Sequence, residues 1–180
     1  LKDKRMRGVL TAAAKQFGWT SSKTPSGRGY GISCGIDAET YVASMAEVEV
    51  DRSSGMIEVK RVVCAQDMGQ VVNPQGAVIQ MEGCITMGLG YALSEEVHFS
   101  NGRLLDVNFD TYDIPRFSWL PKIETVIVPN PTLAPKGGGE PAIVCMGGVL
   151  ATAVYDATGA KMRQLPMTPQ RVKSALEKRG

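Results

Sequence analysis

TYVASMAEVEVDRSSGMIEVKRVVCAQ, residues 40–66, carries the clearest periodicity in the chain. Tyr41, Ala43, Met45, Glu47 and Glu49 alternate with Val42, Ser44, Ala46, Val48 and Val50, the period of two expected of a strand. Asp51-Arg52-Ser53-Ser54-Gly55 has turn chemistry. Met56 to Gln66 then returns as a second strand with Ile57, Val59 and the Val62-Val63 pair. The pattern predicts a β-hairpin whose loop is somewhat longer than the tightest type.

On the amino-terminal side, Gly29 to Cys34 reads as a short strand. Thr20 to Gly29, rich in Ser, Lys, Pro and Gly, reads as a loop. Asp3 to Phe17 has Val9, Leu10, Ala13, Ala14 and Phe17 at helical spacing, with Gly18 as a stop. On the carboxyl-terminal side, Asn73-Pro74 is a helix start, because Asn caps free amides and Pro at the first position already has the right φ. That helix is expected to run to about Leu93. Ala77, Met81, Cys84, Gly88 and Ala92 form a narrow small-residue stripe along it, a place where a sheet or a flat ligand approaches closely.

Val97 to Leu104 predicts a second hairpin, turning at Ser100-Asn101-Gly102, and Asn-Gly favours a type I′ turn. Phe109 to Ile114 is expected to continue extended, and Ile123 to Val128 to form another strand. Lys136-Gly137-Gly138-Gly139-Glu140-Pro141 precedes an apolar helix expected from about Ala142 to Ala157 and closed by Gly159. Leu165-Pro166-Met167 reads as a connector. Thr168-Pro169 starts a last amphipathic helix, Gln170 to Lys178, with Val172, Ala175 and Leu176 inward. The divisions expected are a lead-in of helix and loop over 1–26, a core over 27–167 and a terminal helix over 168–180.

With 43% hydrophobic and 21% charged residues, the composition is that of a folded domain and not of a disordered chain. The 20 basic residues are nearly balanced by 18 acidic ones, so no basic stripe points to nucleic acid. The cluster Lys2, Lys4, Arg5 and Arg7 reads as the solvated start of a helix. No run of eighteen apolar residues suggests a membrane span. The chain begins at Leu1 without an initiator Met, so an export signal is expected, if anywhere, upstream, and the location is read as cytoplasmic or periplasmic. Cys34, Cys64, Cys84 and Cys145 have no metal-knuckle spacing and are expected to be small buried thiols. His98, the lone histidine, is placed in a strand Glu96–Phe99 with a surface or packing role.

The most unusual local feature is Gly137–Glu140. Three glycines let the backbone lie against a neighbour with no Cβ in the way. A glutamate before a helix sits near the positive end of its dipole. The loop matches neither common phosphate-binding fingerprint. A functional loop and a plain turn with a capping carboxylate both remain open on local chemistry. Gln80 both donates and accepts, and a structural amide is its default reading. Asp67 and Asn73 flank Met68-Gly69-Gln70 and are expected to stabilise turns.

Taken in order, these segments resemble the molybdenum hydroxylases of the xanthine dehydrogenase/aldehyde oxidase family. Asp67-Met68-Gly69-Gln70-Val71-Val72-Asn73-Pro74, Gln80-Met81-Glu82-Gly83, Met87-Gly88-Leu89-Gly90 and Glu95-Glu96 look like successive motifs of its large subunit. Gly137-Gly138-Gly139-Glu140-Pro141 looks like its G-x-G-E-P segment. Ala153 to Gly159 and Arg163-Gln164-Leu165-Pro166 look like its closing tail. The segment Val97–Val128 is nearest in style to the isoquinoline 1-oxidoreductase and nicotinate dehydrogenase branches.

The resemblance implies a mixed α/β (α+β) fold with an antiparallel-rich sheet and packed helices, the carboxyl-terminal part of the molybdopterin-binding large subunit. It implies a molybdopterin cofactor carrying molybdenum, in the cytosine dinucleotide form, and 2Fe-2S clusters on a partner domain or subunit. Glu140 matches the catalytic base. Gln80, Gly137, Gly138 and Gly139 match cofactor-binding positions. The implied reaction hydroxylates an aldehyde or an N-heterocyclic aromatic carbon with water as oxygen source. The implied partners are the upstream part of the large subunit, an iron–sulfur subunit or domain, and an FAD or cytochrome electron acceptor. One departure is the Ala142-Ile143-Val144-Cys145-Met146-Gly147-Gly148 stretch, where the family is commonly Pro-rich; the helix start is expected to sit differently, or Cys145 to face the pocket. Two alternatives are a non-catalytic stand-alone binding module, expected to have a start codon just upstream, and a nucleotide-binding domain using the Gly loop. As a fragment, the chain is expected to expose an apolar patch beside Gly137–Glu140.

Overall fold

The computed structural model describes residues 1–20 and 27–178. Its centre is a four-stranded sheet in the order β1-β2-β3-β6: β1 (Arg28–Asp37), β2 (Thr40–Val50), β3 (Ile57–Asp67) and β6 (Lys122–Ile127). The first three pair antiparallel, and β6 lies parallel to β3 on the far side. The fold is therefore mixed α/β with a mostly antiparallel sheet, as the resemblance implies. The expected central hairpin is present to within a residue at each end. Its register shifts at Glu47/Val48, so Glu47 faces Arg61 while Val48 faces Val59. That extra residue puts Val59 and Val62, three apart, into the same core.

Both faces of the sheet are covered, which is why β2 is buried almost throughout. α1 (Lys4–Phe17) lays Val9, Ala13 and Phe17 on Ala43, Met45, Val63 and Ala65. Asp3 caps it by accepting from Met6 N–H at 2.9 Å, and Gly18 ends it in the left-handed region at φ 74°. On the other face, α2 (Pro74–Leu93) and α3 (Met146–Thr158) pack Met81, Ile85, Leu89, Val149, Leu150 and Val154 on Val42, Ala46, Val48 and Val62. The small-residue stripe of α2 faces inward, with Met81, Cys84, Gly88 and Ala92 buried.

β1 is longer than the expected Gly29–Cys34, and Gly29 belongs to it instead of the preceding loop. Residues 21–26 of that expected loop lie outside the described residues, as do residues 179–180 of the terminal segment. A side chain at Gly31 would place its Cβ 1.9 Å from the Val149 carbonyl oxygen, so only glycine lets α3 come this close. α3 also caps the edge of β1: Asp156 accepts from Tyr30 N–H at 2.8 Å and Thr152 Oγ1 from Ile32 N–H at 3.1 Å.

The helix expected from Ala142 begins instead as a 3-10 turn, Pro141–Cys145, and becomes α-helical at Met146. Pro141–Thr158 together are long and apolar enough to cross a membrane, but 56% of that stretch is buried inside the fold, which identifies a core helix. The terminal helix, α4 (Pro169–Glu177), is capped by Thr168 and buries Val172.

Between α2 and β6 an arm leaves the body. β4 (Phe99–Ser100) and β5 (Arg103–Leu104) form the expected hairpin, with Asn101 and Gly102 at φ 49° and 73°. Strand Glu96–Phe99 is not formed as expected: His98 precedes the short β4, and its Nδ1 lies 2.8 Å from Asp106 Oδ2. Phe109–Ile114 is not extended. Tyr112 N–H donates to the Asn108 carbonyl at 2.9 Å, because Asn and Asp favour a local turn over apolar alternation. The exposed large apolar side chains concentrate on this arm, with Phe117 94%, Phe109 78% and Phe99 76% exposed. Ile79, next to Gln80, and Val144, four residues after Glu140, are exposed apolar side chains.

Candidate functional site

Asp67, at the end of β3, organises the ground beneath the site. It is buried, yet accepts from Arg5 Nε at 2.8 Å, Gly69 N–H at 3.1 Å and Asn130 Nδ2 at 3.2 Å. Burial by itself would raise its carboxyl; the hydrogen bonds from Arg5, Gly69 and Asn130 outweigh that and hold it below the ordinary carboxylate value. The tight Met68–Gln70 turn that follows is pinned to the approach of the Gly loop, Gln70 N–H donating to the Leu133 carbonyl at 2.9 Å. Asn73 then starts α2 by accepting from Gly76 N–H at 2.9 Å. Asp67 and Asn73 thus have the turn-building and capping roles expected of them.

The Gly137–Glu140 loop is held on three sides. Lys136 N–H donates to the Met68 carbonyl at 2.9 Å, and Gly137 N–H to the Ala38 carbonyl at 3.2 Å. Thr40 Oγ1 donates to the Gly137 carbonyl at 2.6 Å, and Lys136 Nζ pairs with Glu39 at 2.9 Å. From below, Cys84 Sγ donates to the Gly139 carbonyl at 2.9 Å. Side chains have little room here. A Cβ at 137 would meet Ala38 Cβ at 2.4 Å, and one at 138 would meet Met68 Sδ at 3.0 Å.

Gln80 and Cys84 are one helical turn apart on α2 and point the same way. Gln80 Nε2 lies 3.7 Å from where a Cβ of Gly139 would stand. The structure thus brings Gln80 to the peptide beside Glu140, joining two residues sixty positions apart in sequence. Glu140 itself is exposed and makes no capping hydrogen bond to the 3-10 turn that follows. The reading of it as a helix-capping carboxylate is corrected: α3 proper starts six residues later, too far for its dipole to act on this carboxylate.

Burial, followed by the negative charge of Glu140, pushes the Cys84 thiol up. Cys145 does not face the site. It is fully buried against the Val42 carbonyl. Cys34 is exposed, against the expectation of four buried thiols: it lies on the edge strand, and α1 covers β2 and β3 in preference to the far end of β1. Two clefts of about 780 and 440 Å³ lie elsewhere, one between 159–164 and α4 and one beside Leu93 and Met167; neither is lined by Gln80 or Glu140.

Three contributors escape sequence reading. Cys84 passes as one more small residue of a packing stripe, and Met68 as turn filler. The Ala38-Glu39 pair carries no glycine or asparagine, the usual signal for the positive φ values, 46° and 62°, that it adopts.

The family description "Molybdopterin cofactor-binding domain" matches residues 7–121, which include Gln80 but not the Gly loop. A nicotinate dehydrogenase chain of Pseudomonas putida is 32% identical over 196 residues, covering 100% of this chain and 16% of that protein. The beta chain of isoquinoline 1-oxidoreductase from Brevundimonas diminuta is 32% identical, covering 92% of this chain and 21% of its own length. The crystal structure of quinoline 2-oxidoreductase from Pseudomonas putida 86 superposes with a TM-score of 0.71 at 27% identity, over 77% of this chain and 19% of that one. The chain therefore spans about a fifth or less of the length of these relatives. Sequence motifs, fold and matched residues agree: the chain belongs to the molybdopterin cofactor-binding domain family of the molybdenum hydroxylases.

Proposed function

We propose that this chain is the part of a molybdenum hydroxylase large subunit that presents a general base, Glu140, and an amide donor, Gln80, to a molybdopterin cofactor. The convergence of Gln80 and Cys84 on Gly139, beside an exposed carboxylate, carries the reading. The residues present suit such a group: a backbone without Cβ atoms, an unencumbered amide and a carboxylate left free of structural hydrogen bonds to the helix. When bound, the cofactor supplies the redox chemistry of hydroxylation. Gln80 would donate a hydrogen bond to it, and the Gly137–Gly139 backbone, free of Cβ atoms, would hold it. Glu140 takes the proton from the water-derived nucleophile as general base.

The substrate class is an aldehyde or an electron-poor carbon of an N-heterocycle, the second in keeping with the names of the nicotinate and isoquinoline relatives. The cytosine dinucleotide form of the cofactor, 2Fe-2S clusters on a partner and an FAD or cytochrome acceptor complete the proposed enzyme. The apolar arm over 97–120 is proposed to rest on the remaining part of the large subunit. The test is Glu140→Gln in the complete enzyme. Turnover is expected to fall by the ~100- to 10,000-fold that a general base contributes, with molybdenum content unchanged. A fall of less than about tenfold would exclude Glu140 as base.

A further inference from the structure

We infer that the Ala38–Glu39 turn is a positioning clamp for the Gly137–Glu140 loop. This rests on the reading of Glu140 as base, but the clamp itself is measured separately below. Ala38 and Glu39 join β1 to β2 as a two-residue loop, both at positive φ, 46° and 62°. A loop of that shape normally takes Asn or Gly. The chain itself shows the relaxed solution, since Asn101-Gly102 closes the arm hairpin at 49° and 73°. At 38–39 the unfavourable backbone is kept with two ordinary side chains, and each reaches the Gly loop. The Ala38 methyl fills the space that a side chain at 137 would need, 2.4 Å from its Cβ position. Glu39 pairs with Lys136 at 2.9 Å. The Ala38 carbonyl accepts from Gly137 N–H, and Thr40 next to the turn donates to the Gly137 carbonyl.

The turn is also anchored from behind, by Arg5 Nη1 donating to the Glu39 carbonyl at 3.1 Å while the same guanidinium is locked to Asp67. A rigid line thus runs from Asp67 through Arg5 and the turn to the loop that ends in Glu140. Strained backbone persists where surrounding structure over-determines it, and it gathers at sites where position matters. Ala38, Glu39 and Thr40 act through the loop, as positioning residues.

The test is made in the full-length holoenzyme. Ala38→Gly with Glu39→Gly relaxes the turn and removes both contacts. Hydrogen exchange of the 136–140 amides is expected to quicken at least tenfold, while the β2–β3 amides keep their protection and the molybdenum content stays constant. With benzaldehyde and nicotinate as probes, kcat is expected to fall at least tenfold for the one that is turned over, with KM within threefold. Gly137→Ala is expected to lose activity through the clash with Ala38, and adding Ala38→Gly to regain most of it. Unchanged exchange at 136–140 overturns the clamp, as does quickened exchange with full kcat. Failure of the base reading shows differently: Glu140→Gln would retain turnover while the exchange result stood.

Discussion

Cys84 Sγ lies 2.9 Å from the carbonyl oxygen of Gly139, so a buried thiol on α2 grips the peptide that immediately precedes Glu140. The neighbouring turn of the same helix brings Gln80 to that peptide as well. Gln80 and Cys84, one turn apart on α2, therefore form the floor of the candidate site under Gly139.

From this contact we predict that Cys84→Val in the complete enzyme lowers stability by about 1 kcal/mol, because the Gly139 carbonyl loses its donor. The same loss, felt at Glu140, is expected to reduce kcat roughly tenfold. Cys84→Ser keeps a donor and should stay within about threefold of the parent. Equal kcat values for Val and Ser would show that the hydrogen bond does not matter. Urea midpoints and steady-state rates give both answers.

A second expectation concerns Asp67 and acid. Its folded-state pKa is depressed, so its stabilising contribution is complete above the unfolded carboxylate pKa and disappears as pH falls through the lower folded value. Asp67→Asn is expected to cost roughly 3 kcal/mol at pH 7, the lower end for breaking a buried pair, because the Arg5 side chain keeps 26% of its surface in water. Below the folded pKa the parent has lost its charge too, and the gap should close. Denaturation curves at pH 7 and pH 3 that differ by the same amount would contradict the pairing.

Gly31→Ala offers a purely steric test. Its methyl would stand 1.9 Å from the Val149 carbonyl oxygen and 2.7 Å from Ala153 N, both backbone atoms of α3 that cannot rotate away. α3 must shift, at a cost of about 3 kcal/mol or more, as overpacking does. Thermal unfolding measures this directly. A loss smaller than about 1 kcal/mol would mean that α3 yields more easily than a core helix should.

Thiol labelling of the 180-residue chain should separate the cysteines. Burial pushes Cys64 up to about 12 and Cys145 up to about 11, and Cys84 is also raised. Cys34 is raised by partial burial too, but it alone of the four is exposed. Iodoacetamide at pH 8 is therefore expected to modify Cys34 first, and the other three only on unfolding, since the reactive thiolate must also be reached. Rapid native-state labelling of Cys64 would refute the packing of the β3 face.

Where a local rule and the tertiary contacts agreed, the sequence was readable. The β2–β3 hairpin, the Asn73 and Thr168 caps, the Gly18 and Gly159 stops and the Asn101-Gly102 turn each depend on neighbours a few residues away. Where a distant partner outweighed the local signal, it was not. Cys34 to Asp37 has little strand character, yet it is drawn into β1 by pairing with Thr40 to Ala43. Pro141–Cys145 winds as a 3-10 turn because Tyr91 Oη on α2 donates to the Ile143 carbonyl at 2.8 Å and accepts from Gly147 N–H at 3.0 Å.

Order of motifs along the chain was enough to point to the family and to single out Gln80 and Glu140 as candidates, because those signals are one-dimensional. Only the packed structure decides what surrounds them. The thiol beneath Gly139 and the grip of the strained Ala38-Glu39 turn on Lys136 come from contacts between residues 55 and 97 positions apart. They are set by how α2 and the β1–β2 turn dock around one glycine loop, which also leaves one face of Glu140 open. Such contacts are selected by shape and by backbone hydrogen bonds, and neither leaves a period or a motif in the chain.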